Sequence, residues 1–236
     1  MMPKINMLWV KGPLSRLARL SHASFVKQGF DVALWSYDEA PRTRDAADIT
    51  PYTDDMAVMS SLFRYQLLAT HGGVWCDMDV VALAGPEALP TGAFIASEKR
   101  RPFRHKEASA TGEGLTQVTN CFMGNPSPTA SSLWHRAVET IVAQPPENRN
   151  WESTGPHLLS DLMLQHPDHG IEILPPETVD PVAWWNVPGY FLEDRPPPPS
   201  PFMHLYASIW KRRGVDDELA FPTDSLVDRL WRAHGL

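Results

Sequence analysis

Cysteine is nearly missing from this chain: Cys76 and Cys121 stand far apart, with no Cys-x-x-Cys spacing. That excludes a disulfide-dense scaffold and a cysteine-rich zinc module, and it suits a reducing compartment. No apolar run reaches the roughly 18 residues that a membrane span needs. The opening MMPKINMLWVKG holds too short an apolar stretch for a signal peptide. Positive charge is short as well. The 21 Lys and Arg face 28 Asp and Glu, a net charge of −7, so no overall field favours nucleic acid or an anionic membrane. Neither Gly-x-Gly-x-x-Gly nor a Gly-x-x-x-x-Gly-Lys-Ser loop occurs, which removes the dinucleotide and P-loop fingerprints. What remains is the expectation of a soluble cytoplasmic protein, residues 1–236 forming one domain, without nucleic acid as a partner and without a transmembrane segment.

Proline and tryptophan are in excess, at 23 and nine of 236 residues. Gln144-Pro145-Pro146, Leu174-Pro175-Pro176 and the tetraproline 196–199 cannot be helix interiors or central strands, because proline fixes φ and lacks an N–H. Trp184, Trp185 and Trp210 lie near them, so they read as ordered loops between short elements. The hydrophobic pattern predicts a strand over 4–10, a turn at Gly12-Pro13, an amphipathic helix over 14–28 stopped by Gly29, and a strand over 30–37. A strand–helix–strand start argues for an α/β fold with a mixed, mostly parallel sheet. In such sheets ligands gather at the carboxyl ends of the strands.

The most informative stretch runs from 54 to 83. Thr53 or Asp54 is expected to cap a helix over 56–70, with Met59, Leu62, Phe63 and Leu67 on one face and His71-Gly72-Gly73 ending it. The segment 74–83, VWCDMDVVAL, reads as one strand on which Trp75, Asp77 and Asp79 share a side. An Asp-x-Asp at a strand end offers hard oxygen ligands to Mg²⁺ or Mn²⁺. Such ions complete their shells with phosphate oxygens and water, so the partner of this site would carry a diphosphate. The tripeptide alone is weak evidence; its setting, after Arg64-Tyr65 and Gly72-Gly73, strengthens it. Further strands are expected over 93–97, 120–124, 171–174 and 201–206, and helices over 131–142, 156–164 and 224–233.

The segment SSLFRYQLLATHGGVWCDMDVVAL, residues 60–83, resembles the Asp-x-Asp glycosyltransferases of family 32. These include α-1,6-mannosyltransferases, α-1,4-glycosyltransferases and bacterial capsular or lipopolysaccharide sugar transferases; large clostridial toxins look like distant relatives. The family pattern is roughly Ser-Asp-x-x-Arg-Tyr, then Leu, then Gly-Gly-x-Tyr/Trp-x-Asp-x-Asp. The similarity continues in order through PKINMLWV, residues 94–98, Asn120, Thr154-Gly155-Pro156 and His204-Leu205-Tyr206-x-x-x-Trp210. It implies a GT-A fold, with a Rossmann-like sheet flanked by helices. It also implies Mn²⁺ or Mg²⁺ as cofactor, a nucleotide-sugar donor (a UDP-sugar by preference) and a saccharide or lipid-linked acceptor. The implied reaction transfers a hexose with retention of configuration, in surface polysaccharide synthesis.

The same resemblance assigns roles. Asp79 and His204 would bind the metal, Asp77 would meet the ribose or donor sugar, and Arg64 the sugar or phosphate. Trp9 would stack on the base, Asp38 would touch base or ribose, and Trp75 would lie near the nucleotide. Asn120 would shape the sugar pocket together with Gly155-Pro156, while Ser208 and Trp210 would reach metal and phosphate. Each also has a plainer reading: core packing for the tryptophans, loop capping for Asp38, a surface ion pair for Arg64, a structural imidazole for His204. Lys211, Arg212 and Arg213 would meet the diphosphate or an anionic glycolipid, or form a solvated helix end. The basic stretch 99–106 would be a loop over the donor, and Glu98 and Asp161 are weaker acidic candidates. Ser61 stands where the family carries aspartate, which keeps a non-catalytic nucleotide-sugar-binding module as an alternative. An Asp-x-Asp phosphohydrolase is a second alternative, although Val81 occupies the place where that motif has threonine. Helix 14–28, with the cationic residues Lys11, Arg16, Arg19 and Lys27 on or near it, would either face the core or rest on the inner face of a membrane.

Overall fold

The computed structural model describes residues 4–39, 42–99, 117–128, 133–216 and 218–236. Strand β1 (Ile5–Leu8) leads into helix α1 (Arg16–Lys27), whose first turn is capped by Ser15 accepting the Ala18 N–H. Strand β2 (Val32–Ser36) follows, then the two-residue β3 (Arg44–Asp45), which the sequence pattern did not announce. Helix α2 (Met56–Thr70) has the expected bounds, but its cap is Asp55, one residue later than expected, accepting the Val58 N–H at 3.2 Å. Next come β4 (Gly73–Cys76), β5 (Val80–Ala82), β6 (Phe94–Glu98) and β7 (Gln117–Asn125). Helices α3 (Leu133–Ala143), α4 (Trp151–Thr154) and α5 (Pro156–Gln165) precede β8 (Glu172–Ile173). The chain closes through α6 (Pro176–Val179), α7 (Gly189–Leu192), β9 (Phe202–His204), α8 (Ala207–Arg212) and α9 (Leu226–Ala233). The basic stretch 99–106 lies, beyond Lys99, outside the described residues.

Seven strands form one sheet in the order β3-β2-β1-β4-β7-β6-β8. Only β7 runs against its neighbours, pairing antiparallel with β4 and β6; the other pairs are parallel. The sheet is therefore mixed and mostly parallel, with helices on both faces. One face packs Trp35, Phe63, Tyr65, Trp75 and Trp134 against α2, α3 and α5. The other packs Ile5, Met7, Phe25 and Phe122 against α1. Alternation along β1 sends Ile5 and Met7 to the second face and Asn6 to the first, where Asn6 accepts the Trp35 indole N–H at 3.0 Å. A third cluster around Trp210, Phe191 and Trp231 joins the C-terminal helices.

Residues 74–83 are not one strand. After Cys76 the Asp77 N–H still donates to Cys121 O of β7 at 2.8 Å, and then the chain turns, with the Val80 N–H bonded to Asp77 O at 3.2 Å. Strand β5 leaves the large sheet and pairs antiparallel with β9 in a separate two-stranded sheet. Aspartate favours such turns because its short carboxylate competes for nearby backbone N–H groups. The acidic pair thus sits at the break between two sheets, at the carboxyl end of β4.

Candidate active site

A cleft of about 500 Å³ opens at the carboxyl ends of β1 and β4. Its walls are Leu8, Trp9, Val10 and Lys11 at and after the end of β1, Met56, Ser60 and Arg64 on α2, Trp75, Asp77, Met78 and Asp79 in and after β4, and Ala207, Ser208 and Lys211 on α8. Residues Ser60 and Arg64 reach it together because positions i and i+4 share a helix face.

Asp79 is fixed at both carboxylate oxygens. Oδ2 accepts the Ala207 N–H at 2.8 Å, and Oδ1 lies 3.3 Å from His204 Nε2. The Leu205 N–H also bonds Asp79 O at 2.8 Å, so the turn is tied to the segment after β9. His204 is buried, its Nδ1 lies 2.8 Å from Asp180 Oδ1, and its ring stacks on Tyr206 at 3.9 Å. That stacking uses a left-handed backbone at Tyr206, φ +56°. Asp77 presents Oδ1 to the Trp75 indole N–H at 2.8 Å and to Arg64 Nη1 at 3.3 Å. Among the described residues no hydrogen bond reaches its Oδ2.

Burial pushes the Asp77 carboxyl above the ordinary aspartate value; Arg64 opposes this and the neighbouring Asp79 adds to it. Burial acts on Asp79 in the same sense but is outweighed by His204 and the Ala207 N–H, so its value falls. For His204, burial disfavours the charged ring, yet the carboxylates of Asp79 and Asp180 beside it outweigh burial and raise the imidazole above its usual value.

The donor set suits Mn²⁺ or Mg²⁺. Two adjacent ligands of an octahedral ion at about 2.1 Å lie about 3.0 Å apart, and Asp79 Oδ1 and His204 Nε2 are separated by 3.3 Å. The carboxylate oxygen suits either ion, and the imidazole nitrogen favours the softer Mn²⁺ over Mg²⁺. The imidazole also belongs to a second, wholly buried group in which ligand atoms of Cys121, Asp180 and His204 lie within 4.8 Å of one another.

The remaining sequence candidates are divided between cleft and core. Trp9 lines the cleft, and its indole N–H is held by Gly12 O at 3.0 Å. Asp38 does not line it; Asp38 Oδ2 accepts the Gly12 N–H at 2.6 Å and so fixes the loop that holds Trp9. Trp75 lines the cleft but is otherwise buried: the residue is 2% exposed, packed on Phe63, with its ring 5.0 Å from the Arg64 guanidinium. Arg64 is itself buried, donating from Nη1 to Asn120 O at 2.8 Å and from Nε to Ser60 O at 3.1 Å. Asn120 lies behind it, near the Tyr65 hydroxyl and Gly155. Ser208 and Lys211 line the cleft, whereas the Trp210 ring is core, stacked on Phe191 with its N–H bonded to Leu205 O at 2.7 Å. Arg213 turns away to Trp185 O. Asp161 lines a different cavity, of about 490 Å³, with His157 and His169.

Ser61 faces the interior. It is 1% exposed and its Oγ accepts from Thr154 Oγ1 at 3.4 Å, while its neighbour Ser60 lines the cleft. Asp180 was missed by sequence reasoning. It follows a short helix in a proline-rich loop, and nothing local marks it; only the fold brings it to His204.

No protein-family model matches the chain, and no curated protein matches it. Solved structures do. "PaToxG Glycosyltransferase" covers 98% of this chain and 86% of its own, at 12% identity and a TM-score of 0.49. The apo-form glycosyltransferase GlyE of Streptococcus pneumoniae TIGR4 covers 99% of this chain, which spans 60% of GlyE, at 10% identity and a TM-score of 0.51. At such identities the likeness to GlyE is one of fold. Together with the sheet order and the helices on both faces, it shows that this chain has the GT-A type of α/β glycosyltransferase fold.

Proposed function

We propose that the chain is a metal-dependent, retaining glycosyltransferase. It moves a hexose from a nucleotide-sugar, a UDP-sugar by preference, to a saccharide or glycolipid acceptor in surface polysaccharide synthesis, with residues 1–236 acting as one domain. One observation carries this reading: the Asp77-Met78-Asp79 turn, Arg64 and Lys211 line a single cleft at the carboxyl ends of β1 and β4, with His204 against Asp79. In this reading Asp79 and His204 hold Mn²⁺ or Mg²⁺. Such an ion supplies Lewis-acid chemistry, offsetting the charge that develops on the departing diphosphate. Lys211 and Arg64, which line the same cleft, add positive charge near the diphosphate oxygens. Trp9 offers its ring to the base, and Ser208 a hydroxyl to a phosphate.

The acceptor hydroxyl attacks the anomeric carbon on the face that the diphosphate leaves, and its proton passes to the departing phosphate oxygen. A double displacement would need a carboxylate seated against the sugar. Asp77 has its Oδ1 held by Trp75 and Arg64, and Asp161 belongs to another cavity.

Calorimetric titration of UDP, GDP and their sugars, with and without Mn²⁺, tests the reading on wild type and Asp79→Ala. We expect Mn²⁺-dependent binding of one nucleotide, weakened at least tenfold in Asp79→Ala, with slow release of free sugar. No nucleotide binding with metal present would remove the glycosyltransferase reading. An intact mass increased by one hexose would overturn the same-face route alone. A second reading, a non-catalytic nucleotide-sugar binder, is favoured by Ser61 being turned to Thr154 rather than to the cleft; it expects the same binding without sugar release. The phosphohydrolase alternative finds no support, because Val81 is fully buried in β5.

A further inference from the structure

We infer that Asp180 is a positioning residue for the cation site, holding His204 in the tautomer whose Nε2 lone pair is directed at Asp79. The inference rests on the donor-site reading above. A carboxylate has no proton to give, so the 2.8 Å contact between Asp180 Oδ1 and His204 Nδ1 places the proton on Nδ1. When a cation is held, Nε2 is then the free ligand, and it already stands 3.3 Å from Asp79 Oδ1.

The support is rigid on every side. Asp180 is 0% exposed; its N–H bonds Pro176 O at 2.8 Å, and Pro181 follows it. Its second oxygen lies 3.9 Å from the Cys121 sulfur, whose S–H donates to it. Both oxygens are therefore engaged, and Asp180 does not line the cleft. The Tyr206 ring covers one face of the imidazole, so rotation of the ring is opposed as well as its proton being assigned. A buried carboxylate is costly unless it is paired and hydrogen-bonded. Here its hydrogen bonds act on a buried group that stands directly behind Asp79 of the cleft. Carboxylate support of a ligating imidazole strengthens the ligand and fixes its aim, and losing it costs about 10–100-fold in metal affinity.

The test uses Mn²⁺ with UDP as the probe, read by electron paramagnetic resonance, on wild type and Asp180→Asn, with melting temperature measured in parallel. We expect wild type to show nitrogen modulation of the Mn²⁺ echo from a bound imidazole. Asp180→Asn should lose that modulation and bind Mn²⁺ about 10–100-fold more weakly, since the amide can donate to Nδ1 and force the proton onto Nε2. Unchanged affinity and modulation in Asp180→Asn would overturn the inference. Wild type that binds Mn²⁺ and UDP without nitrogen modulation would overturn it while leaving the donor site standing. Wild type that binds neither would remove both. Because Asp180→Asn could fail to fold, nitrogen-15 spectra of wild-type histidines with Mg²⁺ and UDP provide a variant-free check. A ring protonated on His204 Nδ1 alone supports the inference, and any proton on Nε2 overturns it.

Discussion

Glu98 ends β6 partly withdrawn from water, and burial pushes its carboxyl up to about 7, with Asp180 adding to the shift and His204 opposing it. The unfolded chain releases this proton near 4.5. Between those values the native state holds a proton that the unfolded state has lost. Stability from this group is therefore complete below about 4.5 and falls as pH rises toward 7. Glu98→Gln removes the fall, and relative to wild type it should gain on the order of 2–3 kcal/mol between pH 4 and pH 8. Urea denaturation across that range checks it; parallel profiles for the two proteins would show that burial does not act this way. At this scale the acidic pair and Arg64 were visible in the sequence because motif residues keep a fixed spacing. The orientations of Ser61 and Trp210 were not, because which side of a helix or strand meets water depends on what packs there.

At the scale of elements, the passage from α2 to β4 depends on Gly72 and Gly73, both left-handed at φ +70° and +86°. A Cβ at Gly73 would stand 2.8 Å from Lys4 O and 3.0 Å from Asn6 Nδ2. That carbonyl accepts the Val74 N–H, so it cannot withdraw without loosening the pairing of β1 with β4. Gly73→Ala should cost about 2–4 kcal/mol from strain and clash together, seen as a lower urea midpoint, whereas a midpoint within error of wild type would show that the turn relaxes. Helix α2 was legible to the residue at its bounds, because apolar spacing, a nearby acidic cap and a Gly-Gly stop all agree. The strand expected over 74–83 was legible only in half. An apolar run reports that a segment is buried in extended form; it does not say that Val80 to Ala82 pair with β9 rather than continue beside β7.

Across the whole molecule, Phe202 of β9 joins the two sheets. Its ring lies 4.7 Å from Phe122 and is stacked 5.9 Å from Phe25. Phe202→Ala should destabilise by about 3–5 kcal/mol. Since His204 is two residues away on the same strand, Mn²⁺-dependent nucleotide binding should weaken even where the variant remains folded. Calorimetry at low temperature beside a melting curve separates the two effects, and unimpaired binding would mean that His204 is held without this core. No helix among the described residues is long and apolar enough to cross a membrane. The sequence by itself determined the α/β alternation, the long helix α2 and the Asp-x-Asp beside it, since these depend on periodicity, caps and spacing within a few turns of chain. The tertiary structure alone decided that the acidic pair lies in a turn between two sheets, that Asp180 stands behind His204, and that the Trp210 ring is core. Those facts come from contacts between segments far apart in the chain, where the competing claims of packing and hydrogen bonding are settled only when the segments meet.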